Sequence, residues 1–279
     1  SALQKAGVVK RGKGKGTHRL RRARRALPGM MIHQDGSTHQ WVPGVYWDLI
    51  VTMDDATNEH YSMFFVEQEG TTSSFRGVRE VIEHKGLFCS FYSDRGSHYW
   101  TTPEAGGKVD KVNLTQFGRA LKQLGIEQIA AYSPEARGRS ERMFRTHQER
   151  LVKELALEGI TTMDAANRYL NEVYQPGFNQ RFTVSAAETG SAFVPMVSGN
   201  LEMILCEHFE RTVGKDNCVQ FDTLRLQIPS DQHRMHYVKA TVQVQRYTDG
   251  RLGVFHGPRC LARYDANGRA EQGAMTQAA

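Results

Sequence analysis

The stretch MIHQDGSTHQWVPGVYWDLIVTMDDATNEHYSMFFV, Met31 to Val66, contains three strand-like runs divided by two turns. Met31 to Asp35 begins the first run, which continues past Gly36 towards Trp41. Pro43-Gly44 breaks it. Tyr46 to Met53 is a second run of aromatic and β-branched residues, the types that fit a pleated surface. Asp54 to Asn58 reads as a turn, because short polar side chains bond their own backbone. Tyr61 to Val66 is the third run. Turns this short join antiparallel neighbours.

Beyond Val66 the apolar period becomes helical. Thr72 to Lys85 sets Phe75, Val78 and Ile82 on one face, and Gly86 ends the helix. Leu87 to Tyr92 is a short apolar run and so a buried strand. A loop holding Pro103 and Gly106-Gly107 follows. Leu114 to Leu124 is a helix closed by Gly125, and Ile126 to Ala131 a short strand. A long helix runs from Gly138 to about Leu157. The order β-β-β-α-β-α-β-α is that of an α/β, ribonuclease-H-like catalytic domain with a mixed five-stranded sheet. Asp164 to Tyr174 reads as another helix, Pro176 to Gly199 as mixed and loop-rich, and Leu201 to Phe209 as a short linker helix. Strands are expected at Cys218–Phe221, Leu224–Ile228, Tyr237–Arg246 and Leu252–His256. Turn signals such as Asp249-Gly250 between them suggest a small all-β barrel. The expected division is a basic arm (1–29), a catalytic core (30–190), a linker (191–211), the barrel (212–266) and a polar tail expected to be disordered (267–279).

The chain has 279 residues and a net charge of +6. Residues 1–30 hold ten Lys and Arg and no acid, leaving 26 basic against 30 acidic residues elsewhere. A mildly acidic body with one strongly basic arm points to a polyanionic partner. Lys10, Arg11, Lys13, Lys15, Arg19, Arg21, Arg22, Arg24 and Arg25 are candidate DNA contacts, interleaved with glycines that let cations follow a phosphate backbone. A solvated tail or a localisation signal is the competing reading. No uncharged apolar stretch is long enough for a membrane span, and the start lacks the apolar core of a secretory signal. Cys89, Cys206, Cys218 and Cys260 form no C-x-x-C pair and read as reduced thiols of a cytoplasmic protein. The chain starts at Ser1 without a Met, so it is expected to be a fragment or processed piece.

Three acids stand where this order of elements would gather them. Asp35 lies on the first strand, sharing a face with His33, Ser37 and His39. Asp94 directly follows the apolar strand ending at Tyr92. Glu141 lies in the first turn of the long helix, whose core stripe is Phe144, Leu151 and Leu155. Glu141, Arg145 and Gln148 form the neighbouring stripe, and Arg142, Glu149 and Lys153 lie on the far face. Converging carboxylates repel unless cations neutralise them, and hard oxygen donors select Mg²⁺ or Mn²⁺. Two such ions, bridged by one carboxylate, can activate an attacking oxygen and stabilise a leaving one without a His or Lys base.

The ordered pieces His33-Gln34-Asp35-Gly36-Ser37, Asp54-Asp55-Ala56-Thr57, Tyr92-Ser93-Asp94-Arg95-Gly96-Ser97 and Ser133-Pro134-Glu135-Ala136-Arg137-Gly138-Arg139-Ser140-Glu141-Arg142 resemble the integrase-core (DDE) transposases of bacterial insertion sequences. With Gln116-Phe117 and Leu124-Gly125-Ile126, the resemblance spans residues 30–185. The region of Arg211-Thr212-Val213 and Leu226-Gln227-Ile228 resembles, less specifically, the C-terminal β-barrel of such proteins. The resemblance implies phosphoryl transfer on DNA: water frees a 3′-hydroxyl at a transposon end, and that hydroxyl attacks target DNA. It implies Asp35, Asp94 and Glu141 as the catalytic and metal-binding set for two Mg²⁺ or Mn²⁺ ions, with Asp35 bridging. It implies transposon-end and target DNA as partners and an oligomer, at least a dimer, since two ends must meet one target. It also implies a helix-turn-helix segment ahead of Ser1. Asp94 and Glu141 are 47 positions apart, more than in retroviral integrases, and the Pro103–Lys111 loop is expected to absorb the excess.

Plainer roles compete at several positions. Asp54 and Asp55 read as turn caps, and Glu135 is the alternative to Glu141. His33, His39 and His98 read as packed residues or DNA contacts rather than metal ligands. Arg137, Arg139, Arg145 and Gln148 are candidate DNA contacts against simple solvation. Trp41, Trp47 and Trp100 read as anchors, and Lys215, Arg225, Arg234, Lys239 and Arg246 as exposed cations that could meet a phosphate backbone. At the level of function the rivals are a host-captured integrase-like nuclease and a catalytically idle DNA-binding protein.

Overall fold

A computed structural model describes residues 23–104, 107–132, 138–197, 199–230 and 234–271. The expected meander is present as β1 (Ile32–Val42), β2 (Val45–Asp54) and β3 (His60–Val66), all antiparallel, with Asp35 opposite Val51 and Val51 opposite Met63. α1 (Thr71–Lys85) leads to β4 (Ser90–Ser93), α2 (Gln116–Gln123) to β5 (Glu127–Ala130), and α3 (Gly138–Leu157) follows. The five strands form one mixed sheet in the order β3-β2-β1-β4-β5, with β4 parallel to both neighbours.

Both faces of this sheet are covered, which is why β2 and β3 read as nearly continuous apolar runs. On one face Ile32, Phe75, Val78, Phe91, Phe117 and Leu121 form a core under α1 and α2. On the other, Leu49, Val51, Met53 and Phe65 meet Phe144, Leu151 and Leu155 of α3. The three-residue helical stripe of α3 read from the sequence is therefore its core face. Trp41, Trp47 and Trp100 are buried, as expected of anchors. Leu87 departs from expectation: it forms an isolated bridge with Val194, so β4 starts later than its apolar run.

A helix also extends further than the sequence indicated. α4 (Met163–Tyr169) passes through a π-helical turn, Leu170–Tyr174, straight into α5 (Gln175–Phe182). Pro176 suggested a break, since it has no N–H and its ring clashes with the preceding turn. The wider turn, with the Gln175 N–H bonded to Leu170 O, removes that conflict.

β3 is a sheet edge, and side-chain amides close it. Asn167 accepts from Phe65 N at 2.7 Å and donates to Phe65 O at 3.1 Å. Asn179 does the same for His60, at 2.8 Å in both directions, and Gln175 adds a second donor to His60 O. Each amide stands in for a neighbouring strand, so an edge that would invite another chain is covered.

A buried histidine pair locks α3 against the same strand. His60 Nδ1 lies 2.9 Å from Asn58 O, which can only accept, so that nitrogen carries the proton. His60 Nε2 then accepts from His147 Nε2 at 3.1 Å, and His147 Nδ1 accepts from the Tyr174 hydroxyl at 3.0 Å. Burial pushes His60 down to about 4. Burial, then His60 and Arg150, push His147 well below its ordinary range.

The remaining strands make a separate core. α6 (Leu201–Ile204) precedes β6 (Glu207–Thr212), β7 (Cys218–Phe221), β8 (Leu224–Gln227), β9 (Thr241–Arg246), β10 (Leu252–His256) and β11 (Arg259–Tyr264). In place of a hydrogen-bonded barrel, they form a four-stranded sheet, β11-β10-β9-β6, and a β7–β8 hairpin around Val219, Phe221, Leu226, Val244 and Val254. β6 occupies sequence expected to be linker, and β11 carries no clear alternation. The module is held to the core by α2: the Gln116 amide pairs with both backbone groups of His208, and Arg119 donates to Ile204 O and Cys206 O.

Two outcomes follow. Asn179→Ala leaves the His60 N–H without its acceptor, while Gln175 still serves His60 O, and is expected to lower the unfolding free energy by about 1–3 kcal/mol in urea titrations. A change within error would mean that water substitutes for the amide. The histidine pair adds a pH dependence. Between pH 6.5 and about 4 the unfolded chain binds a proton at His60 that the folded chain does not, so stability falls as pH falls through that window. The loss is on the order of 3 kcal/mol for His60, and a His60→Gln/His147→Gln variant should show correspondingly less of it.

Candidate active site at the carboxyl end of the parallel strands

The β1–β4 register sets Ile32 opposite Phe91 and His33 opposite Tyr92. Two residues further along each chain come Asp35 and Asp94. Each thus stands two residues past the last pair of the register, Asp35 within β1 and Asp94 just after β4. Both are half-buried. Each carboxylate also caps its own chain: Asp35 Oδ1 accepts from Gly36 N at 3.1 Å, and Asp94 Oδ1 from Gly96 N at 2.8 Å. Gly96 O in turn accepts from Tyr99 N and Trp100 N, winding the segment after Asp94 into a tight turn.

α3 lies over the face of β1 that carries Asp35. Gln148 Nε2 donates to Ser37 Oγ at 3.0 Å, and Ser37 shares its face with Asp35. Glu141 is seven residues before Gln148, two helical turns away on the same stripe, and is exposed. Among the described residues, no group of three or more His, Cys, Asp or Glu side chains stands close enough to hold a metal ion. Asp35 and Asp94 thus stand at matching places past the β1–β4 register, and among the described residues Glu141 does not join them in such a group. Glu135 and Arg137 lie outside the described residues, as does the Arg139 side chain.

Asp54 and Asp55 are structural, as the turn reading expected. Asp54 accepts from Gly29 N and Thr57 N. Burial raises its pKa, against those hydrogen bonds. Asp55 accepts from Arg25 N and bonds the buried His33 ring at 2.8 Å, and that ring tilts against Tyr92. His39 packs edge-on against Trp41. His98 lies tilted against Tyr99 at 3.9 Å between ring centres, with Nε2 3.5 Å from Glu69.

Two candidate DNA contacts have other engagements. The Arg24 guanidinium donates to Asp55 O, Ala56 O and Asn58 Oδ1, so it fastens the end of the arm to the β2–β3 turn. The Gln148 amide is an anchor of α3. Arg145 is exposed. Lys10, Arg11, Lys13, Lys15, Arg19, Arg21 and Arg22 lie outside the described residues. In the β module Arg225 pairs with Asp216, Arg246 with Glu207 and Asp222, and Arg234 lies over Tyr237, while Lys215 and Lys239 are exposed.

Sequence reasoning did not find Glu69, Tyr99, His60 or His147. None sits in a distinctive spacing, and their roles arise from contacts between distant segments.

No family model matches the chain. Two curated relatives do. The chain is 33% identical over 239 residues to y4bF of Sinorhizobium fredii (strain NBRC 101917 / NGR234), a transposase by name, covering 84% of this chain and 51% of the relative. It is 28% identical over 221 residues to the transposase for insertion sequence IS1202 of Streptococcus pneumoniae, covering 79% and 47%. The chain therefore spans about half the length of the curated relatives it matches. Among solved structures, a chain of the simian T-cell lymphotropic virus intasome in complex with PP2A regulatory subunit B56 gamma aligns at a TM-score of 0.45 and 14% identity, over 87% of this chain and 82% of that one. The HTLV-2 integrase catalytic core in complex with magnesium aligns at a TM-score of 0.40 and 16% identity, over 53% and 91%. The sequence relatives bear out the resemblance seen in the motifs: over most of its length the chain is similar to bacterial transposases, one of them the transposase of an insertion sequence.

Proposed function

We propose that this chain carries the catalytic core of a DNA transposase, with Asp35, Asp94 and Glu141 as its reactive set. The observation that carries the reading is the parallel β1–β4 register, past which Asp35 and Asp94 each lie by two residues, Asp94 just beyond the carboxyl end of β4. That is where ligands bind in open α/β sheets. The sequence relation to transposases supports it independently.

Asp35 and Asp94 offer hard oxygen donors, which suits Mg²⁺ or Mn²⁺ and not a softer metal. Bound there, such ions supply Lewis acidity to the attacking and the leaving oxygen of a phosphodiester. In this reading Asp35, Asp94 and Glu141 would together hold the ions. Glu141 is exposed in the first turn of α3, on the stripe of Gln148, which bonds Ser37 of β1. The reaction makes one P–O bond, from water at a transposon end or from the freed 3′-hydroxyl at the target, and breaks another. The exposed Arg145 on the Glu141 stripe and the basic arm from Lys10 to Arg22 would hold phosphates by charge. Two ends and one target call for at least a dimer.

The test is Mg²⁺-dependent joining of a pre-cut transposon-end duplex to plasmid DNA, comparing the chain with its Glu141→Gln variant. Joining by the first and a loss of at least about a hundredfold in the second is expected, the scale on which single catalytic groups act. Equal joining by both would remove Glu141 from the set. Binding of DNA with no joining by either would point to an idle DNA-binding protein.

A further inference from the structure

Behind the two aligned carboxylates, on the opposite face of β1, lies a buried polar assembly that neither the motifs nor the relatives assign. Gln34 and Gly36 flank Asp35 and, by strand alternation, face away from it, towards α1. Both are engaged by the same two residues. The Tyr99 hydroxyl lies 3.0 Å from Gln34 Oε1 and 3.3 Å from Glu69 Oε1. The other Glu69 oxygen packs so closely on Gly36 that any Cβ at that position would collide with it.

The assembly is fixed at every end. Gln34 Nε2 donates to Thr52 Oγ1 of β2 at 2.8 Å. It has room to do so because Gly77 of α1 carries no Cβ. Glu69 N donates to Asp48 Oδ2 at 2.6 Å. Tyr99 O accepts from Thr115 Oγ1 and Gln128 Nε2, which ties it to α2 and β5. Tyr99 itself belongs to the turn whose Gly96 amide holds Asp94. Its hydroxyl is a donor with two acceptors, and one of them is charged.

We infer that Tyr99 and Glu69 are positioning residues: a strut that fixes the backbone on both sides of Asp35 relative to the turn of Asp94, and so sets the separation of the two carboxylates. The strut engages the face of β1 opposite Asp35. It acts through the spacing, which a divalent cation shared by two carboxylates reads directly. The inference rests on the proposed role of Asp35 and Asp94 as ligands.

The experiment measures Mn²⁺ binding by electron paramagnetic resonance on the whole chain with a transposon-end duplex bound, and separately the affinity for that duplex without metal. Tyr99→Phe keeps the ring and its packing on Phe91 and Phe117. It is expected to weaken Mn²⁺ binding about tenfold, the effect of one hydrogen bond to a charged group, while metal-free DNA affinity stays within about twofold. Glu69→Gln, which keeps an acceptor oxygen, should retain more Mn²⁺ affinity than Glu69→Ala. Gly36→Ala should weaken binding in the native background and add nothing beside Glu69→Ala, because the collision is then gone. Unchanged Mn²⁺ affinity in Tyr99→Phe overturns the strut, and so does absence of Mn²⁺ binding in the native chain. Equal loss of metal and DNA affinity would mark a merely structural residue and also overturn it. Failure of strand joining with these Mn²⁺ shifts intact would sink the transposase reading and leave the strut standing.

Discussion

The parallel pairing of β1 with β4 is the constraint on which the rest of the arrangement depends. Parallel neighbours cannot be joined by a tight turn, so the chain must leave the sheet through β2, β3 and α1 before β4 can return beside β1. That detour covers one face and points the carboxyl ends of both strands the same way. Two acids then lie at matching distances past a common register, although 59 positions separate them in sequence. A slip of one residue would turn either acid to the opposite face. The pairing of His33 with Tyr92, a buried ring contact backed by the His33–Asp55 bond, opposes such a slip.

A second principle recurs at the edges. Asn167 and Asn179 satisfy the outer edge of β3, and Gln116 satisfies β6. Each primary amide carries a donor and an acceptor at about the spacing of a backbone N–H and C=O, so it can replace one residue of a missing strand. At β3 this protects an edge. At β6 it binds one core to another, and an Arg119 bridge to two carbonyls reinforces the junction.

How much of this could be read beforehand follows from the range of the interactions. Periodicity reports local faces, so the meander, the stripe of α3 and the order of elements were legible. The candidate acids stood out because each lies within an ordered motif: Asp35 on β1, Asp94 just after β4 and Glu141 in the first turn of α3. The continuation of α4 into α5 was not, since Pro176 signals a break and the π turn that admits it has no composition of its own. β6 and β11 were missed because half-exposed strands lack a strong alternation. Tyr99, Glu69, His60 and His147 were missed for a deeper reason: each acquires its role from partners 30 or more positions away. Gly36 and Gly77 did leave a trace, as glycines inside a strand and a helix, where they cost stability unless something packs against them.

The same geometry bears on the charge asymmetry. Apart from its basic arm the chain is mildly acidic, so it would repel DNA at long range, and the aligned carboxylates add to that field. On the proposed reading, cations must therefore be delivered to the site from elsewhere in the chain. The described end of the arm shows how direction can be given to them. Arg24 and the Arg25 amide fasten it to the Asp54–Asn58 turn, and the Gly29 amide bonds Asp54. That turn closes on the start of β1, three residues before Asp35. The arm is thus anchored to the strand that carries the central carboxylate. Lengthening the segment between Arg25 and Met31 would uncouple the two without touching either, which makes the anchor, and not the number of cations, the feature that relates DNA binding to the reactive edge.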